Sequence, residues 1–138
     1  MNNGKYFSQH SKVIIIGAGT GGITTANQLI QGKNFNNKDI TIFDPLSIHY
    51  YQPGFTKIAG LHGMDKLISK NISYDMKDIT KNFNFKNWAV KEFDPENNTI
   101  IDEHGGKWTY DQLIVASGIK IDLDKIPGKY LLNKPNEN

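Results

Sequence analysis

The 138-residue sequence contains no cysteine. That excludes a disulfide, a cysteine-ligated zinc site and a redox thiol within these residues, and it leaves the compartment open. Arginine is also absent, all sixteen basic residues being lysine, so bidentate guanidinium recognition of phosphate is not available. Any bound phosphate must rely on backbone N–H groups. A net charge of +2 gives no basic footprint for nucleic acid. No apolar run approaches the roughly 20 residues that cross a bilayer. Residues 1–11 hold neither arginine nor an apolar core, so they read as a flexible tail, with no signal peptide or clear presequence. At this length the chain makes at most one domain, yet it is long enough to bury a core.

What the chain does have is Lys12-Val13-Ile14-Ile15-Ile16-Gly17-Ala18-Gly19-Thr20-Gly21-Gly22, a β-favouring run ending in a glycine turn. In a dinucleotide site Gly17 permits the tight turn out of the strand, and Gly19 lets the backbone reach the pyrophosphate. Gly22 allows the next helix to pack against the sheet, and the N–H groups that open that helix face the anion. A glycine pattern alone is weak, but its context is present. Residues 23–30 place apolar side chains at helical spacing, and residues 40–43 form a second apolar strand. Asp44 follows roughly 20 residues after Gly22, where a carboxylate would take ribose hydroxyls. The competing reading is a βαβ unit with a glycine turn and no ligand.

Further along, residues 44–56 read as a loop broken by Pro45, Pro53 and Gly54. Residues 57–81 suggest one or two short helices, with the β-branched isoleucines as the weak point. Then the period changes. Residues 87–93 alternate, Asp94-Pro95-Glu96-Asn97-Asn98 turns, residues 99–102 return, His104-Gly105-Gly106 turns again, and residues 107–110 make a third short strand. Residues 111–118 read as a separate buried strand closing in the small-residue turn Ala116-Ser117-Gly118, and residues 129–138 as a polar tail. The expected architecture is α/β: a Rossmann-like half-domain over residues 12–128, a parallel sheet in which a β-meander replaces one crossover.

A meander in that place, followed by an Ala-Ser-Gly turn, resembles the flavoprotein disulfide-reductase class, where small residues beside the cofactor avoid a collision with its diphosphate. The loop Ser47-Ile48-His49-Tyr50-Tyr51-Gln52-Pro53-Gly54-Phe55-Thr56 narrows this further. It is similar to the His-x-Tyr-Gln-Pro-x-Trp-Thr segment of sulfide:quinone oxidoreductases of the mitochondrial type, with Phe55 in the Trp place. Asp44-Pro45, residues 90–95 and residues 110–119 extend the likeness, which covers only the N-terminal part of that family's length. The resemblance implies FAD as cofactor, hydrogen sulfide and a quinone as substrates, and peripheral association with the mitochondrial inner membrane. In that family sulfide attacks a cysteine disulfide, and the resulting thiolate reduces the flavin.

Carried over residue by residue, Gly17, Ala18, Gly19, Thr20, Gly21 and Gly22 would hold the FAD pyrophosphate. Asp44, with Pro45 beside it, would take the ribose, main-chain groups of Val90 the adenine edge, and Ala116, Ser117 and Gly118 would lie near the diphosphate. His49 and Gln52 would approach the ribityl and isoalloxazine region. Each has a plainer reading. His49 is equally a loop histidine capping a backbone group, Tyr50 and Tyr51 are packing residues with exposed hydroxyls, Pro53 stiffens the loop, Val90 is a core strand residue, and Gly118 closes a strand. Trp88 and Trp108 read as meander packing, and His62 and His104 lack a partner at metal-ligand spacing. No catalytic residue and no metal ligand is expected, because no nucleophile is paired with a base. The chain alone is therefore expected to be catalytically incomplete, to bind FAD weakly or not at all, and to invite a complementing C-terminal chain. Two other readings stay open: a half-domain of a type II NADH dehydrogenase-like flavoprotein, and a non-catalytic remnant.

Overall fold

The computed structural model describes residues 9–60, 72–119, 122 and 125, and its centre is the strand carrying the isoleucine run. β1 (Gln9–Ile16) pairs in parallel with β2 (Ile40–Phe43) on one edge and with β8 (Lys107–Val115) on the other. A strand with neighbours on both edges and packing on both faces has no polar side, which is why Val13 to Ile16 is unbroken apolar sequence. β1 starts earlier than residue 12. Gln9, His10 and Ser11 pair with Trp108, Thr109 and Tyr110 instead of belonging to a tail. The Ser11 hydroxyl also donates to the Asp39 carbonyl at 3.1 Å.

Two more strands, β6 (Val90–Asp94) and β7 (Thr99–Asp102), and the short β5 (Asn84–Lys86) complete a six-stranded sheet in the order β5-β2-β1-β8-β7-β6. β5, β2, β1 and β8 are parallel, while β6, β7 and β8 form the expected antiparallel meander. The sequence reading separates the third meander strand from the final buried strand; the structure makes them one. Residues 107–115 contain no glycine or proline, so β8 runs unbroken, pairing with β7 over its first residues and with β1 from Trp108 to Val115.

Each face of the sheet carries its own core. α1 (Thr20–Gln31) covers one face, with Ala26, Ile23 and Leu29 packed on Val13, Ile15, Ile40 and Ile42. The other face gathers Ile14, Ile16, Phe43, Ile100, Trp108 and Tyr110. There Phe43 meets the Trp108 ring edge-on at 5.1 Å, and Trp88 lies 6.4 Å from Trp108. Both tryptophans thus serve as meander packing.

The segment after β2 departs most from its sequence reading. Instead of a loop over residues 44–56, β3 (Ile48–Tyr50) is followed by α2 (Pro53–Gly60). Pro53 opens that helix rather than breaking the chain, because the first helical position needs no N–H. β3 pairs antiparallel with β4 (Ser73–Asp75), which leads into α3 (Met76–Thr80), capped by the Asp75 carboxylate accepting from the Lys77 amide at 2.8 Å. The helical expectation over residues 57–81 therefore holds at both ends, and a strand interrupts it at Ser73–Asp75. Residues 61–71, with His62, and the polar tail lie outside the described residues.

Candidate functional site

The glycine turn sits at the carboxyl end of the parallel strands, tied to both neighbours of β1. The Gly17 amide donates to the Phe43 carbonyl at 2.7 Å, and the Ala116 amide donates to the Ile16 carbonyl at 2.7 Å. Gly17 has φ +99°, a conformation that a side chain resists, and a Cβ there would strike the Ala116 carbonyl. A Cβ on Gly22 would strike the Gly17 carbonyl, so the start of α1 presses directly on the turn. Gly19 differs: a Cβ there would meet nothing within 4 Å. No protein atom requires glycine at that position; space on the outer side of the turn is what its lack of a side chain preserves.

Gly19 is also the N-cap of α1, and no side chain caps the helix. Its first turn carries no acidic residue and its last no basic one. The opening amides, which have no partner within a helix, and the positive end of the helix dipole are left for an external anion.

Asp44 is drawn onto this turn. It is 8% exposed, and its Oδ2 accepts from the Ala18 amide at 2.7 Å while Oδ1 accepts from the Leu46 amide at 2.8 Å. Each carboxylate oxygen retains a second lone pair, so hydroxyl donors can still be taken. The sequence spacing finds this acid; that it also braces the turn is visible only in three dimensions.

A cleft of about 200 Å³ runs from the turn into the segment after β2. Its lining brings together five of the residues singled out from sequence, namely Gly19, Thr20, Asp44, His49 and Gln52, with Leu46, Ile48, Tyr50, Phe55 and Met76. Those last five were not expected there. Ile48 and Phe55 belong to the loop that carries the resemblance but had no site role, Leu46 lies outside any motif, and Met76 reaches the cleft because its amide donates to the Ser47 carbonyl at 2.8 Å, which ties α3 to the start of β3. Tyr50 and Tyr51 are 47% and 53% exposed, more open than packing residues, and the Tyr50 ring lies 6.0 Å from that of Phe55.

Other candidates lie beside this cleft rather than in its lining. Pro45 is exposed between Asp44 and Leu46. Gly17, Ala18, Gly21 and Gly22 form the turn and helix start, and Ala116 backs them, while Ser117 and Gly118 are exposed beyond β8, Gly118 with φ +70°. Val90 pairs with Asp102 across the meander and packs on the Phe43–Trp108 core, as its plainer reading has it. Asn87, passed over in the sequence as the first residue of an alternating run, donates from Nδ2 to the carbonyls of Asp44 and Leu46.

These residues fit the diphosphate and ribose of an adenine dinucleotide: uncapped amides at a helix start, free space outside Gly19, and a carboxylate on the next strand over. Likeness to known proteins points to the same class of cofactor. The family model for pyridine nucleotide-disulphide oxidoreductases matches residues 11–138. The mitochondrial sulfide:quinone oxidoreductase of Dictyostelium discoideum is 35% identical over 119 residues, 86% of this chain and 25% of that protein. NADH-rubredoxin oxidoreductase of Clostridium acetobutylicum is 32% identical over 123 residues, 85% of this chain and 30% of that one. The structure of the sulfide:quinone oxidoreductase from the hyperthermophile Aquifex aeolicus matches with a TM-score of 0.61 at 28% identity, over 83% of this chain and 25% of that chain. The chain thus spans 25% of the Dictyostelium protein and 30% of the Clostridium one. A meander-containing parallel sheet with an uncapped glycine turn at its carboxyl end, matched by one family model along nearly all of its length, makes this chain a member of the pyridine nucleotide-disulphide oxidoreductase family, whose cofactor is FAD.

Proposed function

We propose that this chain is the N-terminal, FAD-binding part of a sulfide:quinone oxidoreductase of the mitochondrial type, acting at the inner-membrane surface on hydrogen sulfide and a quinone. The observation that carries the reading is a single cleft that joins Gly19 and Asp44 to His49 and Gln52. The turn and acid are common to many flavoproteins. The His49-Tyr50-Tyr51-Gln52-Pro53 run, which resembles sulfide:quinone oxidoreductases, opens onto the same space. Among the described residues no helix is long and apolar enough to cross a membrane.

When bound, FAD supplies a carrier that accepts an electron pair from one substrate and returns it to another. The chain's own residues bind and orient it. Amides of the turn and of the first turn of α1 hold the diphosphate, so the lack of arginine is no obstacle. The free lone pairs of Asp44 accept from ribose hydroxyls, with Pro45 shaping the loop beside it. Main-chain groups at Val90 take the adenine edge, and Ala116, Ser117 and Gly118 stay small beside the diphosphate. His49 and Gln52 face the ring-bearing end of the cofactor. Because none of the 138 residues is cysteine, any thiol that receives sulfide lies outside them.

The second reading, an NADH-driven flavoprotein, draws on the 32% identity to NADH-rubredoxin oxidoreductase. A chimera separates the two. This chain replaces the matching segment of the Dictyostelium enzyme, and reduction of a short-chain quinone is followed with sulfide or NADH as donor. The proposed reading expects flavin incorporation and sulfide-dependent reduction. Flavin incorporation without sulfide-dependent reduction favours the alternative, and a chimera that folds without flavin refutes both.

A further inference from the structure

Asn87 lies in the link between β5 and β6, next to the loop that carries the ribose acid. Its Nδ2 donates to the Asp44 carbonyl at 2.9 Å and to the Leu46 carbonyl at 3.0 Å. Two carbonyls facing one carboxamide leave a single sensible orientation, with both amide hydrogens engaged. The need for such a residue follows from the chain itself. The last backbone rung between β2 and β5 is the Asp44 amide donating to the Lys86 carbonyl at 3.1 Å. On the same side the Asp44 carbonyl meets no backbone N–H of β5 and is taken by the Asn87 side chain. Leu46 is instead held at both ends of its peptide, its amide by the Asp44 carboxylate at 2.8 Å and its carbonyl by Asn87. The other carboxylate oxygen is fixed by the Ala18 amide at 2.7 Å. Glycine turn, acid and loop are therefore one hydrogen-bonded unit, and Asn87 is the side chain that closes it from the meander side.

We propose that Asn87 is a positioning residue for adenosine recognition: by holding the Asp44 and Leu46 carbonyls it sets the carboxylate where ribose hydroxyls arrive. The inference rests on the reading of Asp44 as the ribose acid. Without Asn87 the Leu46 peptide is released on one side, its amide no longer has a fixed direction, and Oδ1 of Asp44 loses its anchor. The loss falls on ligand hydroxyls and leaves the amides that hold the phosphates in place, because Asn87 makes no hydrogen bond to residues 17–22.

The test measures dissociation constants of ADP and of 2′,3′-dideoxy-ADP, which lacks both ribose hydroxyls, for the flavin-stripped chimera with the Dictyostelium enzyme, carrying this chain as wild type or with Asn87→Ala. Hydrogen bonds to a charged group predict that the wild type prefers ADP by about tenfold. Asn87→Ala is expected to shrink that preference to about twofold while dideoxy-ADP binds as before. A residue that merely supports the fold would weaken both nucleotides alike, and that result, or an undiminished preference, overturns the proposal. Asn87→Gln keeps a carboxamide on a longer stem and is expected to fall between the two. It decides the matter in the same way should the alanine variant not fold. The reading beneath is tested separately: a wild type that binds both nucleotides equally, or neither, removes Asp44 from ribose recognition and this inference with it.

Discussion

Beneath the turn that joins β7 to β8, Asp102 is 2% exposed and fully engaged. Its carboxylate accepts from the Trp108 indole N–H at 2.8 Å, the Gly106 amide at 2.8 Å and the His104 amide at 2.9 Å. Burial alone would push its pKa up; the hydrogen bonds from Trp108, Gly106 and His104 outweigh it and hold the carboxyl below the ordinary aspartate value of 3.8. Because the folded value is depressed, the stability Asp102 contributes is present above the unfolded pKa and is lost as pH falls through the folded one. Urea midpoints followed from about pH 5 to about pH 2.5 should therefore fall more steeply for the wild type than for Asp102→Asn. Asp102→Ala, which leaves buried donors unmatched, should cost about 2–3 kcal/mol by thermal or urea denaturation at neutral pH.

At the scale of elements, stability rests on strands that are apolar on both faces. Ile15 and Ile42 are fully buried side by side under α1, in register across β1 and β2. Truncating either to alanine should cost about 2–5 kcal/mol, depending on how far the helix can settle into the space left, as urea titration would measure. These were also the elements legible in the sequence, since an unbroken isoleucine run, a glycine turn and a helical repeat each carry a local signal. β5 leaves no local signal, because Asn84-Phe85-Lys86 has only three residues and one apolar side chain, and it exists through parallel pairing with β2. β3 and β4 leave none for a related reason: their partners lie far apart in the chain, and three-residue strands show no period. The site divides the same way. Gly17 to Gly22 and Asp44 follow a spacing rule, whereas Leu46 and Met76 reach the cleft, and Asn87 the backbone of the loop beside it, only through tertiary folding.

For the whole molecule, two separate cores clamp one sheet, and the carboxyl ends of its parallel strands carry the glycine turn and the acid together. That placement is what ties the chain to flavin chemistry, and Gly19 isolates it from stability. At Gly17 a side chain would collide with the Ala116 carbonyl and also strain the backbone, so substitution there confuses folding with binding. At Gly19 an added Cβ would meet no atom of the protein within 4 Å. The most direct measurement is FAD titrated into the flavin-stripped chimera with the Dictyostelium enzyme, with Gly19 in place and with Gly19→Val, the melting temperature of each being recorded. The account predicts a melting temperature lowered by no more than a few degrees, since valine is a poorer N-cap than glycine, and a loss of at least about tenfold in FAD affinity for the variant. FAD bound equally well by a Gly19→Val chimera of comparable stability would contradict it.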